Sequence, residues 1–136
     1  MSPARILPQQ WSSPGLTWQV SLQLLREYRA ELSAFAVTPP QAAALLYLQD
    51  NPGSSIRQCA KIVGVTGPTM GEIVKRLERK GWLRKQRAPQ DDRYVLLTVT
   101  PKGTDRVRKI MRLLQVARAI RTPSALQRYT IRTPAA

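Results

Sequence analysis

Apolar residues recur at helical spacing through the first third of the chain. Between Leu16 and Phe35 they fall at intervals of three, four and seven, which is the period of one helical face. The next segment opens on Thr38 followed by two prolines, an N-cap candidate and residues that a first helical turn tolerates. It continues to Gln49, and the Asp-Asn-Pro-Gly run at 50–53 ends it. This pattern predicts two helices.

Two shorter helices joined by a tight turn follow. Ser55 is an N-cap candidate for the first of them, which ends at Gly64, a residue suited to a left-handed terminus. Thr66 caps the second helix, with Pro68 in its first turn, and Gly81 closes it. The apolar positions of this second helix share one face, which we expect to pack inward: Met70, Ile73, Val74 and Leu77.

A hairpin then leads into a last helix. Residues 83–87 read as a strand, 88–92 as a turn and 94–100 as a returning strand rich in Val, Leu and Thr. Thr100-Pro101 starts the last helix. This order predicts a mainly α fold with a small β-wing, a winged helix-turn-helix, which places one helix in a major groove and a basic loop beside it.

The elements divide the chain into five expected segments. They are a flexible N-terminal arm over residues 1–14, a dimerisation helix over 15–36, a winged helix-turn-helix domain over 37–103, a second dimerisation helix over 104–122 and a basic irregular tail over 123–136. The apolar stripes of the two flanking helices are not needed to close a small winged core, so we expect another subunit to cover them. Packing on the chain's own domain is the alternative.

Positive charge is concentrated in the second part of the chain. There are 22 Lys and Arg against 8 acidic residues, a net charge of +14; residues 1–56 hold three of each sign, so residues 57–136 carry 19 against 5, the whole +14. Such asymmetry predicts a polyanionic partner, double-stranded DNA, whose phosphates the cations neutralise. A solvated basic surface is the alternative.

The remaining composition argues against several classes of protein. The single cysteine fits a reducing compartment, the N-terminus lacks the apolar core of a signal peptide, and no run approaches the ~18 apolar residues of a membrane span. We therefore expect a cytoplasmic, nucleoid-associated protein. Without histidine, a Gly-rich phosphate loop or paired Cys ligands, the sequence predicts no enzyme, no cofactor and no metal site. Cys59 lies on an apolar stripe and is interpreted as a packed structural thiol.

Several motifs stand in order between residues 38 and 103. Thr-Pro-Pro-Gln opens a helix at 38–41, Leu-Glu-Arg-Lys-Gly-Trp-Leu occupies 77–83, Pro-Gln-Asp-Asp-Arg forms the hairpin at 89–93, and Leu-Thr-Val-Thr-Pro-Lys-Gly occupies 97–103. In combination they closely resemble the MarR family of bacterial and archaeal regulators. The resemblance implies a homodimeric repressor in which the terminal helices pair and two winged modules bind a palindromic operator. It also implies release by a small aromatic effector.

Two features depart from the family pattern. The family wing commonly runs Asp-Pro-x-Asp-Arg-Arg, whereas here Ala88 replaces the first Asp and Asp92 the first Arg, which leaves Arg93 as the only arginine of the usual pair. Proline-punctuated basic sequence also stands where the family completes its dimer interface. These departures motivate an alternative function, a non-specific nucleic-acid-binding architectural or adaptor protein built on a winged-helix module.

The predicted DNA contacts lie mainly on the second helix of the turn. Thr69 is a candidate for a thymine methyl or a base edge, Glu72 for cytosine and Lys75 for guanine. Arg76 and Arg79 are candidate phosphate clamps. For each candidate base contact, a phosphate contact or no contact is the alternative. The full predicted set is Ser55, Arg57, Thr66, Gly67, Pro68, Thr69, Glu72, Lys75, Arg76, Arg79 and Arg93.

Three aromatic residues are candidates for an effector pocket between the dimer helices and the winged module. They are Trp18, Tyr28 and Tyr47. The resemblance implies that a small aromatic anion binds there. A place in the hydrophobic core is the alternative for each of them.

Overall fold

The computed structural model describes residues 18–121, apart from the side chains of Gln19, residues 91–94, Arg118, Ile120 and Arg121. The expected arm over 1–14 and tail over 123–136 lie outside the described residues. A mainly helical chain with a small antiparallel sheet confirms the predicted fold class. The elements in chain order are α1 (Trp18–Glu27), α2 (Arg29–Ser33), α3 (Pro39–Asp50), β1 (Ser54–Ser55), α4 (Ile56–Val63), α5 (Gly67–Arg79), β2 (Leu83–Ala88), β3 (Asp91–Val99) and α6 (Pro101–Arg121).

Side-chain caps begin three of the helices where the sequence predicts. The Thr38 hydroxyl accepts a hydrogen bond from the Gln41 N–H at 3.3 Å, and the Gln41 side chain accepts one from the Thr38 N–H at 3.1 Å. Ser55 forms the same reciprocal cap on α4, and the Thr66 hydroxyl caps α5. Gly64 ends α4 at a φ of 85°, the left-handed region that favours glycine. These helix boundaries are confirmed.

The first predicted helix is divided in two. Tyr28, at φ −102° and ψ 33°, separates α1 from α2, although backbone hydrogen bonds continue from Tyr28 to Leu24 at 2.9 Å and from Leu32 to Tyr28 at 3.0 Å. Leu24 and Leu32, one on each side of the bend, are both buried. The segments on both sides of the bend therefore contribute buried leucines to the same core.

The sheet has a strand that the sequence did not predict. Its order is β1-β3-β2, and β1 pairs antiparallel with β3 through Ser54 with Leu97 and Ser55 with Leu96. Two serines carry no hydrophobic alternation, so no local pattern marks them as a strand. The hairpin is also tighter than predicted, because β3 begins at Asp91 and not at Tyr94.

The flanking helices close the core of a single chain. The expectation that their apolar stripes need another subunit is wrong for most of those residues, because Leu25, Ile110 and Leu114 are at most 1% exposed within one chain. Helices α1 and α6 pack against each other and against α3. Among the described side chains, Val116 on α6 has the largest exposed fraction of any large hydrophobic residue, 54%. Within residues 18–121, no helix combines the length and hydropathy that crossing a bilayer requires.

Candidate nucleic-acid interface

Helix α5 has one buried face and one exposed face. Met70, Val74 and Leu77 are fully buried and Ile73 nearly so, which confirms the predicted inward face. Because an α-helix repeats every 3.6 residues, the positions between them point away from the core. Five of the eleven predicted contacts lie on this side of the helix, and these five are exposed: Thr69, Glu72, Lys75, Arg76 and Arg79.

The amino end of α5 presents hydrogen-bond donors to solvent. The Thr66 hydroxyl accepts from the Thr69 N–H at 3.3 Å and donates to the Thr69 hydroxyl oxygen at 2.9 Å. The Thr69 hydroxyl proton therefore stays available for an outside acceptor. Gly67 and Pro68 are exposed in the first turn, at the positive end of the helix dipole. This arrangement suits a phosphate or a base edge.

Glu72 and Lys75 form a salt bridge on the exposed face. Their charged atoms lie 3.4 Å apart, and both side chains are more than 60% exposed. Pairs this exposed contribute about 0–1 kcal/mol, so the bridge opens at little cost. Both side chains can therefore turn to base edges without destabilising α5.

The other predicted contacts lie at the start of α4 and in the wing. The Ser55 hydroxyl accepts from the Gln58 N–H at 3.1 Å, so its oxygen serves the cap. Arg57 is exposed in the first turn of α4, which packs against α5. The backbone of Arg93 belongs to β3, but its side chain lies outside the described part, so its predicted contact stays a prediction.

Strand β2 carries cations that were not among the predicted DNA contacts. Arg84, Lys85 and Arg87 are exposed on this outer strand of the sheet, and Lys85 pairs with Glu78 at 3.3 Å. Charged side chains commonly protect an edge strand from pairing with another chain. They also extend the positive surface from α5 along the wing, and the Arg-Lys-Gln-Arg run was the signal for it.

Gly71 offers a test of whether DNA approaches the backbone of α5. A Cβ at this position would meet nothing within 4 Å, so Gly71→Ala should stabilise the helix by roughly 0.5–1 kcal/mol. We expect thermal melting to show this gain while duplex DNA affinity falls, because the methyl group would occupy space between helix and groove. Unchanged DNA affinity would mean that Gly71 is an ordinary surface position.

Cys59 is a packed thiol, as predicted. It is fully buried in the core, and burial raises its pKa to about 12. Since the thiolate is the reactive form, the native side chain should resist alkylation and peroxide. This environment is the opposite of the one that activates a sensor cysteine.

Alkylation at several pH values tests this directly. Iodoacetamide at pH 8 should modify Cys59 only after unfolding in urea. Because the folded pKa is raised, the contribution of the buried thiol to stability is complete below the unfolded pKa of roughly 8.5 and is lost as the pH rises toward about 12. Cys59→Ala should show a smaller loss of stability across that range. Rapid labelling of the folded protein would contradict the prediction.

The three predicted pocket aromatics pack against the core, and an effector pocket formed by them stays a prediction. The Trp18 indole N–H donates to the Ile62 carbonyl at 2.9 Å, the Tyr47 hydroxyl accepts from Ser54 at 3.4 Å, and Tyr28 lies at the bend between α1 and α2. All three are half-buried against the core, and none of them lines either of the two cavities found at the start of α3.

Within the described part of the chain, two cavities lie on opposite sides of the start of α3. The small cavity, of about 180 Å³, lies between α1, α3 and the α4–α5 turn and has largely apolar walls with two arginines. The basic groove, of about 540 Å³, lies between the α2–α3 turn and the second half of α5. The small cavity is lined by Leu22, Arg26, Arg29, Pro39, Pro40, Ala43, Val63, Gly64 and Val65. The basic groove is lined by Ser33, Ala36, Val37, Thr38, Gln41, Arg76, Arg79 and Lys80.

Comparison with known proteins places this geometry in one family. The MarR family profile matches residues 37–93. The chain is 31% identical over 102 residues to the HTH-type transcriptional regulator YdcH of Bacillus subtilis, covering 71% of this chain and 69% of that one. It is 26% identical over 88 residues to the organic hydroperoxide resistance transcriptional regulator of Bacillus subtilis, covering 65% of this chain and only 60% of that relative's length.

A solved structure extends the likeness over almost the whole fold. The PcaV transcriptional regulator of Streptomyces coelicolor superposes with a TM-score of 0.61 at 32% identity, covering 91% of this chain and 96% of that one. The agreement therefore includes the flanking helices as well as the winged module. Given these matches and the capped helix-turn-helix followed by a wing, this chain belongs to the MarR family.

Proposed function

We propose that this protein is a sequence-specific, double-stranded-DNA-binding transcriptional regulator, acting as a homodimeric repressor at the nucleoid. The observation that carries the proposal is the two-faced α5, buried on its apolar side and exposed on its polar and cationic side. It lies in the part of the chain that holds the whole +14 charge. The relatives named as transcriptional regulators support it.

The proposed contacts follow from position on the helix. The amino-terminal part of α5 enters the major groove, where Thr69, Glu72 and Lys75 face base edges. Arg76 and Arg79 bind phosphates and fix the register of the helix. Arg93, at the wing, would reach a minor groove, where narrow width concentrates negative potential.

A second copy of the chain completes the operator-binding unit in this proposal. A two-fold axis would place the two α5 helices ~34 Å apart, one turn of DNA. Since most of the α1 and α6 stripes close the core, the dimer contact must use what they leave exposed. We propose that this contact includes the exposed Val116 and the half-buried Leu113, which lie one helical turn apart on α6.

We propose the small cavity as a candidate effector site in addition to the predicted aromatic residues. PcaV has been solved in complex with its natural ligand, at 30% identity to this chain and 96% coverage of each. In this chain Arg26 and Arg29 stand beside apolar walls in the small cavity, which suits a small aromatic anion. We propose no catalytic role, and within the described residues no group of three His, Cys, Asp or Glu is arranged to hold a metal.

Salt dependence of DNA binding tests the proposal. If ~6–10 phosphates are engaged, affinity for duplex DNA should fall by roughly 10³–10⁵ between 50 and 200 mM salt. Titration of a fluorescent duplex at several salt concentrations measures the slope. A DNA affinity that does not change with salt concentration would contradict the proposal that the positive charge binds DNA phosphates.

The alternative function is a non-specific architectural or adaptor protein. The departures at Ala88 and Asp92, together with the basic outer strand β2, favour sequence-independent phosphate contact. Selection of bound sites from random DNA separates the two functions. A regulator should prefer one palindrome over bulk DNA by at least ~10³, whereas an architectural protein would bind all duplexes alike.

A further inference from the structure

The basic groove collects positive charge without a counter-charge. Arg76, Arg79 and Lys80 line it, and none of its other lining residues is acidic. Within the described part of the chain, these three side chains take no part in a salt bridge with another described residue. Ser33 and Thr38 also line the groove. The groove therefore combines three cationic residues with two hydroxyl-bearing residues.

Lys80 is held in place at the edge of this groove. Its ammonium group donates to the Ala36 carbonyl at 2.5 Å and lies 4.7 Å from the centre of the Trp82 ring. Burial lowers the pKa of Lys80, and the charges of Arg106 and Arg76 lower it further. The neighbouring cations thus repel one another, and an anion in the groove would relieve that repulsion.

Arg106 fixes the same corner of the fold. Its guanidinium lies 5.0 Å from the centre of the Trp82 ring and donates to the Phe35 carbonyl at 3.3 Å. The α2–α3 turn is therefore tied to both α5 and α6 through its carbonyls. A site whose walls are held in position before binding loses little entropy when a ligand arrives.

We propose that the basic groove binds a small oxyanion with two or more negative charges, of the phosphate or polycarboxylate class, and that its occupancy competes with DNA. The competition rests on the proposed function, because Arg76 and Arg79 belong to the groove and also to the exposed face of α5. An anion held between these guanidinium groups neutralises the charge that the operator phosphates would use. The site is separate from the small cavity, with which it shares no lining residue.

Two lysines separate this site from general charge attraction. Lys80, the residue directly after α5, lines the basic groove, whereas Lys75 is exposed on α5 and does not line the groove. Calorimetric titration of the full chain, without DNA and at constant ionic strength, would use pyrophosphate in one arm and citrate in the other. Binding of pyrophosphate would assign the ligand to the phosphate class, and binding of citrate would assign it to the polycarboxylate class.

Lys80→Gln should weaken binding of the preferred probe by about tenfold or more, the effect of losing a hydrogen bond to a charged group. Lys75→Gln should leave it unchanged. Because Lys80 also packs on Trp82, Lys80→Gln could disturb the fold as well as the site. Arg79→Gln therefore provides a second variant, on an exposed side chain, that should also weaken anion binding. Lys80→Arg keeps the positive charge and should retain anion binding. Equal losses in Lys75→Gln and Lys80→Gln, or no binding of either probe to the unmodified chain, would overturn the site.

A second measurement tests the competition. The preferred probe should lower the DNA affinity of the unmodified chain more than chloride of equal ionic strength does, and Lys80→Gln should reduce that difference. If the probe binds but DNA affinity falls no further than with chloride, the competition is wrong. If the chain does not bind DNA at all, the proposed function fails while the anion titration still decides the site.

Discussion

Replacing Gly103 with alanine should lower the free energy of unfolding by about 1–3 kcal/mol or more. A Cβ at this position would overlap the Trp82 carbonyl oxygen and lie 2.7 Å from a Val99 methyl group. The Trp82 carbonyl also accepts the Thr100 N–H at 3.0 Å, so relieving the overlap would disturb the turn that starts α6. Urea unfolding followed by circular dichroism measures the loss.

Gly67 provides the matched control for this substitution. A Cβ there would meet nothing within 4 Å, and the residue is exposed in the first turn of α5. Gly67→Ala should therefore leave the unfolding midpoint unchanged or raise it slightly. An unfolding midpoint for Gly103→Ala equal to that of the unmodified protein would show that the packing of α6 on Trp82 is looser than the structure indicates.

The double substitution Arg76→Gln and Arg79→Gln should weaken DNA binding by about 10- to 100-fold for each guanidinium lost, from roughly 1.5–3 kcal/mol per hydrogen bond to a charged group. Because phosphate contacts do not depend on base sequence, the double substitution should reduce the affinity for every duplex by about the same factor. The slope of log affinity against log salt should fall by about 2. Fluorescence anisotropy with the selected palindrome and with unrelated DNA measures both effects.

Two exposed arginines on α6 serve as the control pair. Arg108→Gln and Arg112→Gln remove the same charge from a helix that is not proposed to touch DNA. If both double variants lose affinity equally, the effect reflects net charge and not position on α5. If the α5 pair reduces affinity for the palindrome alone, these arginines read bases and do not clamp phosphates.

Local features of the fold could be predicted from the sequence. Thr38, Ser55 and Thr66 each accept a hydrogen bond from a backbone N–H three residues away, so a short window of sequence contains the whole interaction. Gly64 likewise takes its left-handed conformation for reasons within its own turn. The inward face of α5 follows from helical period alone.

Features that depend on distant parts of the chain could not be predicted. Strand β1 exists because Ser54 and Ser55 meet β3 more than 40 residues later, and only the folded chain brings them together. The burial of Leu25 and Ile110 in one chain, where a second subunit was expected, depends on how α1 crosses α6. Apolar periodicity predicts that a helix face is buried, but it does not predict whether the same chain or a second subunit covers that face.

The candidate site likewise combines features set by local sequence with features set by distant parts of the chain. The exposed cations of α5 were identified by their spacing, since helical period alone separates them from the buried face. The basic groove was not identified, because it pairs Lys80 with the α2–α3 turn, whose Ala36 lies 44 residues away. The predicted effector role of Trp18, Tyr28 and Tyr47 stays a prediction, and none of the three lines the small cavity or the basic groove.

The short strand β1 has a mechanical consequence. Ser55 pairs with Leu96 of the wing and also begins α4, and the Gly53 N–H donates to the Leu97 carbonyl at 2.9 Å. The base of the wing is thereby fastened to the helix-turn-helix, so the two should turn as one rigid body. A signal that changes operator affinity must then move each winged module as a whole relative to the other module. Within one module, the distance between α5 and the base of the wing stays constant.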